Sequence, residues 1–133
     1  MNKDKKKVLF FVYGTLMSGY GNNVLLQKAE LLGEHETDAD FTMHSLGGFP
    51  CVTLDGKTSI KGEVYATTDE NIIQNVYRLE GFSGTKNSRN NWYDMVDVET
   101  PYGTAGMFVM LSPKYKEAPI VPTGSWRNRT QNG

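Results

Sequence analysis

The run Val8-Leu9-Phe10-Phe11-Val12-Tyr13 is β-branched or aromatic at nearly every position and has no polar alternation. A strand with one solvated face alternates apolar with polar, so this run predicts a central strand over residues 6–13 that is covered on both faces. The rest of the chain must then supply partners for both edges and cover for both faces. The run stops at Gly14. The loop that follows holds Gly14, Gly19 and Gly21, the hydroxyls of Thr15 and Ser18, and Asn22 and Asn23. Such a segment reads as a secretion signal, a buried strand with a simple turn, or a strand built to carry a binding loop.

The first reading rests on Lys3, Lys5, Lys6 and Lys7 ahead of the apolar run, which imitate the charged and apolar regions of a signal peptide. Tyr13, Gly14 and Thr15 break the run, and no small-x-small cleavage site follows, so a buried first strand is preferred. No segment approaches the roughly 20 apolar residues of a membrane span, so no membrane association is expected. The 133 residues suit one domain, able to bury roughly two thirds of its unfolded surface. Fourteen basic against fifteen acidic side chains leave no overall field to attract nucleic acid. Cys51 is the only cysteine, which excludes an internal disulfide and favours a reducing, cytoplasmic setting. Outside a secretory route the acceptor tripeptide Asn128-Arg129-Thr130 has no consequence.

Along the chain, Val24, Leu25, Leu26, Ala29, Leu31 and Leu32 predict a short helix ending near Gly33. Residues 35–54 are strand-like, with a turn at Ser45-Leu46-Gly47-Gly48-Phe49-Pro50. Asp55-Gly56-Lys57 then predicts a hairpin between Cys51–Leu54 and a returning strand at Ile60–Thr67. The strongest helix runs from Thr68 to Gly81. Thr67 and Glu70 have capping-box spacing, and Gly81 is the stop. A Gly/Ser/Asn-rich loop spans 81–91, and Trp92–Thr100 and Ala105–Leu111 form a second hairpin about Thr100-Pro101-Tyr102-Gly103. The ordered core is expected over about residues 6–112. Residues 113–133, with three of the five prolines and a polar end, predict an extended, partly disordered tail.

Glu80 is the residue that calls for a chemical explanation. With Ile73 at zero and an advance of about 100° per residue, Val76 falls near about −60°, Tyr77 near about +40° and Glu80 near about −20°, the middle of the apolar face. An ionised carboxylate removed from water costs several kcal/mol unless it is paired or protonated. Either Glu80 turns outward or meets Arg78 or Arg89 in a structural ion pair, or burial raises its pKa and makes it a general acid/base. The helical geometry leaves both open. His35 and His44 have no Cys or carboxylate at metal-ligand spacing, so no metal is expected. Gly81-Phe82-Ser83-Gly84-Thr85-Lys86 lacks the spacer of a phosphate loop, and Cys51 has no adjacent base and reads as a small core residue.

The segments FVYGTLMSGYGNN, GGFPCV, IKGEVYATTDENIIQNVYRLEGF and WYDMVDV, in this order, resemble the γ-glutamylcyclotransferase-like family, and most closely its γ-glutamylamine cyclotransferase branch. The match spans about residues 8–111, with a weaker echo in Pro122–Trp126. The resemblance implies an α+β fold, a small mixed β-barrel with two short flanking helices. It also implies a substrate-binding loop at Tyr13, Gly14, Thr15 and Leu16, with Glu80 as catalytic acid/base and Tyr93 as a hydrogen-bonding wall. The implied reaction releases 5-oxoproline from a small γ-glutamyl amide or amine by internal attack, with no metal or cofactor. The chain departs from the family pattern at Tyr77, Met95 and Phe108, where an Asp, an Arg and a Tyr are usual. Two readings follow: a cyclotransferase, or a binding module that uses the same loop and pocket to hold a metabolite or a protein partner.

Overall fold

The computed structural model describes residues 6–129; the lysines before Lys6 and Thr130 of the acceptor tripeptide lie outside them. Seven strands are present: β1 (Val8–Val12), β2 (Glu30–Glu36), β3 (Phe41–Ser45), β4 (Pro50–Thr58), β5 (Lys61–Thr67), β6 (Asp94–Thr100) and β7 (Gly103–Val109). A 3-10 helix at Gly21–Leu26 and the helix α1 at Glu70–Glu80 flank them, and a further 3-10 turn lies at Pro113–Tyr115, so the fold is α+β with a mixed set of strands and short helices. Five strands form one sheet in the order β2-β5-β1-β7-β6, and β3 and β4 form a separate hairpin. The two parts are joined by the Met110 N–H, which donates to Val52 O at 2.8 Å.

β1 is the middle of the five-stranded sheet, antiparallel to β5 and parallel to β7. Phe10, Phe11 and Val12 are buried, as a strand covered on both faces requires. β6 and β7 form the expected hairpin, in register from Asp94 opposite Val109 to Thr100 opposite Gly103. α1 buries Ile72, Ile73 and Val76. Its N-cap is Asp69, whose side chain accepts from Asn71 N–H at 2.9 Å; the capping box expected of Thr67 and Glu70 is replaced by this cap, and Thr67 instead accepts from Asp69 N–H, ahead of the helix. Gly81 ends the helix in the left-handed region at φ 67°.

Three expectations are corrected. The helix over Val24–Leu32 is a 3-10 turn that stops at Leu26, and Leu31 and Leu32 belong to strand β2. So short an apolar stripe cannot offset helix nucleation, whereas the open edge of β5 offers β2 a ladder from Glu30 to Glu36. Asp55-Gly56-Lys57 is no hairpin turn. β4 runs through it and pairs with β3, with Thr53 opposite Thr42 and Thr58 opposite Phe41, so the intervening residues form a large bulge. β5 pairs with β1 and β2.

The segment after residue 112 is also packed where it is described. Val121 N–H donates to Met43 O, Lys61 N–H to Gly124 O and Ser45 N–H to Pro119 O. Trp126 is 1 % exposed and joins the same core as β1 and α1. Proline and polar composition suggested a tail, but the buried Val121 and Trp126 and these backbone bonds dock it. Replacing Trp126 with Ala is expected to lower unfolding stability by about 3–5 kcal/mol, read from urea titration, whereas a free tail would leave the midpoint unchanged.

Candidate functional site

The site begins where β1 ends. Met17 N–H donates to Gly14 O at 3.0 Å and closes a turn over residues 14–17. Asn22 Nδ2 donates to Thr15 Oγ1 and Asn23 Nδ2 to Leu16 O, both at 2.8 Å, so the 3-10 helix holds the loop from beside it. A Cβ on Gly14 would lie 2.9 Å from Pro50 Cδ and Cγ, which makes glycine a requirement of the loop's seat on the β3–β4 hairpin. Among the described residues, no acceptor is paired with the N–H groups of Gly14, Thr15 and Leu16. Successive N–H groups left in this way can take an anion.

The far end of the loop is fixed by a carboxylate that sequence reasoning passed over. Glu63, on β5 and 5 % exposed, accepts from Ser18 N–H through Oε1 and from Ser18 Oγ through Oε2, both at 2.8 Å. Arg127 Nη2 donates to Glu63 Oε2 at 3.0 Å and also to Ser18 Oγ and Ser18 O, while its guanidinium lies over the Tyr20 ring. Tyr65, which donates to Glu63 and accepts from Asn23, ties this network to the loop's other support. A signal was present in the sequence: Glu63 is the one carboxylate in an otherwise apolar stretch of β5.

The opposite wall comes from the end of α1. After Gly81 the chain turns back, and Trp92 N–H donates to Gly81 O at 2.8 Å and Tyr93 N–H to Glu80 O at 3.2 Å. A Cβ on Gly81 would stand 2.8 Å from Trp92 Cβ, so the left-handed glycine also allows this close return. Tyr93 Oη donates to Pro50 O at 2.7 Å, and Tyr13 Oη donates to Phe108 O. The result is one cavity of about 290 Å³ whose lining includes all six residues singled out from the sequence, Tyr13, Gly14, Thr15, Leu16, Glu80 and Tyr93. Asn22, Phe49, Pro50, Trp92 and Phe108 complete its chemistry and were not singled out as binding groups.

Glu80 keeps partial exposure through this cavity, but its carboxyl is enclosed by protein, and burial pushes its pKa from an ordinary 4.5 up to about 7. The outward turn and the structural ion pair are not what the side chain does: Arg78 is bonded to Asn75, and no salt bridge involves Glu80 among the described residues. Tyr13 and Tyr93 are raised above the usual phenol value, by burial first and then by neighbours that include Glu80, so both are neutral phenols. Cys51 lies near both tyrosines but does not line the cavity; burial pushes its thiol up to about 11, leaving it a core residue.

Tyr77, Met95 and Phe108 are neighbours. Met95 stands opposite Phe108 across β6 and β7, and the rings of Tyr77 and Phe108 meet edge to face at 6.3 Å. Phe10 and Phe82 join the same aromatic cluster, of which Phe108 lines the cavity. Phe108 is thus the common neighbour of the other two.

A family model described as "Gamma-glutamyl cyclotransferase, AIG2-like" matches residues 10–128. A Vibrio cholerae protein provisionally named a gamma-glutamylcyclotransferase is 32% identical over 121 residues, 91% of this chain and 96% of that protein. The solution structure of ytfP from Escherichia coli is similar with a TM-score of 0.68 and 30% identity, covering 92% of this chain and 98% of that one. An uncharacterized protein from Pyrococcus horikoshii aligns with a TM-score of 0.73 at 25% identity, over 94% of each chain.

Two outcomes follow from the site's electrostatics. Because folding raises the pKa of Glu80, the folded state holds its proton more tightly than the unfolded chain. The stability this contributes is complete below about pH 4.5 and is lost as pH rises through about 7. Wild type should thus lose stability relative to Glu80→Gln between pH 5 and 8, as followed by thermal unfolding; parallel curves would show an exposed, ordinary carboxyl. Glu63→Gln is expected to lower stability by about 1–3 kcal/mol. It should also speed amide exchange at Ser18, whose N–H loses its charged acceptor, as read by hydrogen-exchange mass spectrometry.

Proposed function

This chain belongs to the gamma-glutamyl cyclotransferase, AIG2-like family, and from that membership we propose that it cleaves a small γ-glutamyl amide or amine to 5-oxoproline and a free amine. The observation that carries the proposal is a carboxyl with a pKa near 7, Glu80, in the same cavity as the unpaired N–H groups of residues 14–16. Tyr13, Gly14, Thr15 and Leu16 form the substrate-binding loop, Glu80 is the catalytic acid/base, and Tyr93 is a wall of the pocket.

In this reading the loop N–H groups hold the substrate's anionic end and the developing oxyanion. Glu80 takes a proton from the α-ammonium, and the freed nitrogen attacks the γ-carbonyl carbon. The new C–N bond closes the five-membered ring, and collapse of the tetrahedral intermediate breaks the original amide bond. Two protons leave the α-nitrogen as it becomes the lactam N–H, and two reach the departing nitrogen, which leaves as an ammonium. A carboxyl with a pKa near 7 can serve in both directions at neutral pH. Tethering the nucleophile to the electrophile makes ring closure intramolecular, which supplies much of the acceleration. A cytoplasmic setting suits the single buried Cys51.

The second reading, a binding module, draws on Phe108, which of the three departures is the one that lines the pocket and which adds no polar group to it. The two are separated by incubating the protein with γ-glutamyl amides and measuring 5-oxoproline. Glu80→Gln is expected to lower kcat by about 10²–10⁴-fold. The kcat/KM of wild type should climb with pH on a limb centred near the pKa of Glu80, about 7. Binding of these amides without product would establish the module, and undiminished product from Glu80→Gln would remove Glu80 from the mechanism.

A further inference from the structure

The cavity has a buried floor and an apolar rim. Tyr13, Leu16, Tyr93 and Phe108 are buried, whereas Leu79 and Trp92 are 38 % and 41 % exposed and Phe49 is half-buried between them and the floor. The Trp92 indole packs within an aromatic row. Its ring meets Phe49 at 5.8 Å and Tyr93 at 4.9 Å, and its backbone is bonded to Gly81. No lysine, arginine or histidine lines the cavity among the described residues, and its ionisable members are Glu80, Tyr13 and Tyr93. The basic residues nearest in sequence lie outside the lining: Arg78 donates to Asn75, Lys86 pairs with Asp97, and Arg89 is exposed.

Taking the cyclotransferase reading as its basis, we propose that Trp92, Phe49 and Leu79 form the leaving-group subsite, and that the released amine has an apolar, aromatic or alkyl body and no carboxylate. The γ-glutamyl half must lie inside, because ring closure needs both the loop N–H groups and Glu80. The other half then extends across the rim. A carboxylate there would lie against aromatic faces and near Glu80 with no cation to offset its lost hydration. An apolar body gains from leaving water against these three apolar side chains.

Three substrates isolate the terms: γ-glutamyl-benzylamide, γ-glutamyl-methylamide and γ-glutamyl-phenylalanine, which shares the aromatic body of the first but adds a carboxylate. Expected is a kcat/KM for the benzylamide at least about tenfold above either of the others, a difference typical of a modest apolar contact. Trp92→Ala should narrow the benzyl-to-methyl ratio. Leu79→Arg, at an exposed helical position that accepts arginine, should raise phenylalanine-derivative turnover relative to the benzylamide. Equal or greater turnover of γ-glutamyl-phenylalanine by wild type, or of a γ-glutamyl diamine carrying a free ammonium, overturns this inference while leaving cyclisation intact. If no compound yields 5-oxoproline, the cyclotransferase reading falls. Calorimetry then tests the subsite on its own: tighter binding of the benzylamide than of the phenylalanine derivative sustains it, and equal binding overturns it.

Discussion

The burial of β1 is the constraint on which the remaining structure depends. Its side chains leave neither face free for water and its backbone is paired on both edges, by β5 and by β7. A strand held in this way has one exit at each end, and the chain beyond Val12 must emerge at the end of the sheet. That exit is where the loop of residues 13–16 turns over Pro50, next to the end of α1. The site is thus a consequence of strand placement, with side chains added at a mouth that the sheet has already defined.

Two buried carboxylates divide the work of that mouth. Glu63 is saturated with donors from Ser18, Tyr65 and Arg127, so its burial is compensated and it anchors the backbone of the loop. Glu80 has no such partners among the described residues, and desolvation acts on it without relief. The contrast leaves one carboxyl anchoring the loop and the other with its pKa raised by burial.

Much of this was legible in the chain. β1, β5, α1 with its Gly81 stop, the β6–β7 hairpin and the placement of Glu80 on an apolar helix face all follow from period, turn chemistry and capping. The errors share one cause. The apolar residues from Val24 to Leu32 satisfy a helical stripe over too few turns to decide between helix and strand, and the vacant edge of β5 decided it. Asp55-Gly56-Lys57 has the composition of a turn, but the register of β4 against β3 absorbs it as a bulge. The segment around Trp126 resembles a tail because its neighbours are polar, and buried Val121 and Trp126 with backbone bonds to Met43, Ser45 and Lys61 override that composition once a core exists to receive them.

The sequence by itself determined that a doubly buried strand would end in a glycine-bearing loop and that a helix would carry a carboxylate on its apolar side. These are local properties, set by side-chain period and backbone preference within a few residues. Only the tertiary structure decided that the two meet in one cavity, that Glu63 and Arg127 hold the loop from 45 and 109 residues beyond Ser18, and that Trp92 and Phe49 share a rim. Contacts at such separations depend on strand order and on where chain reversals fall, and no local pattern encodes either.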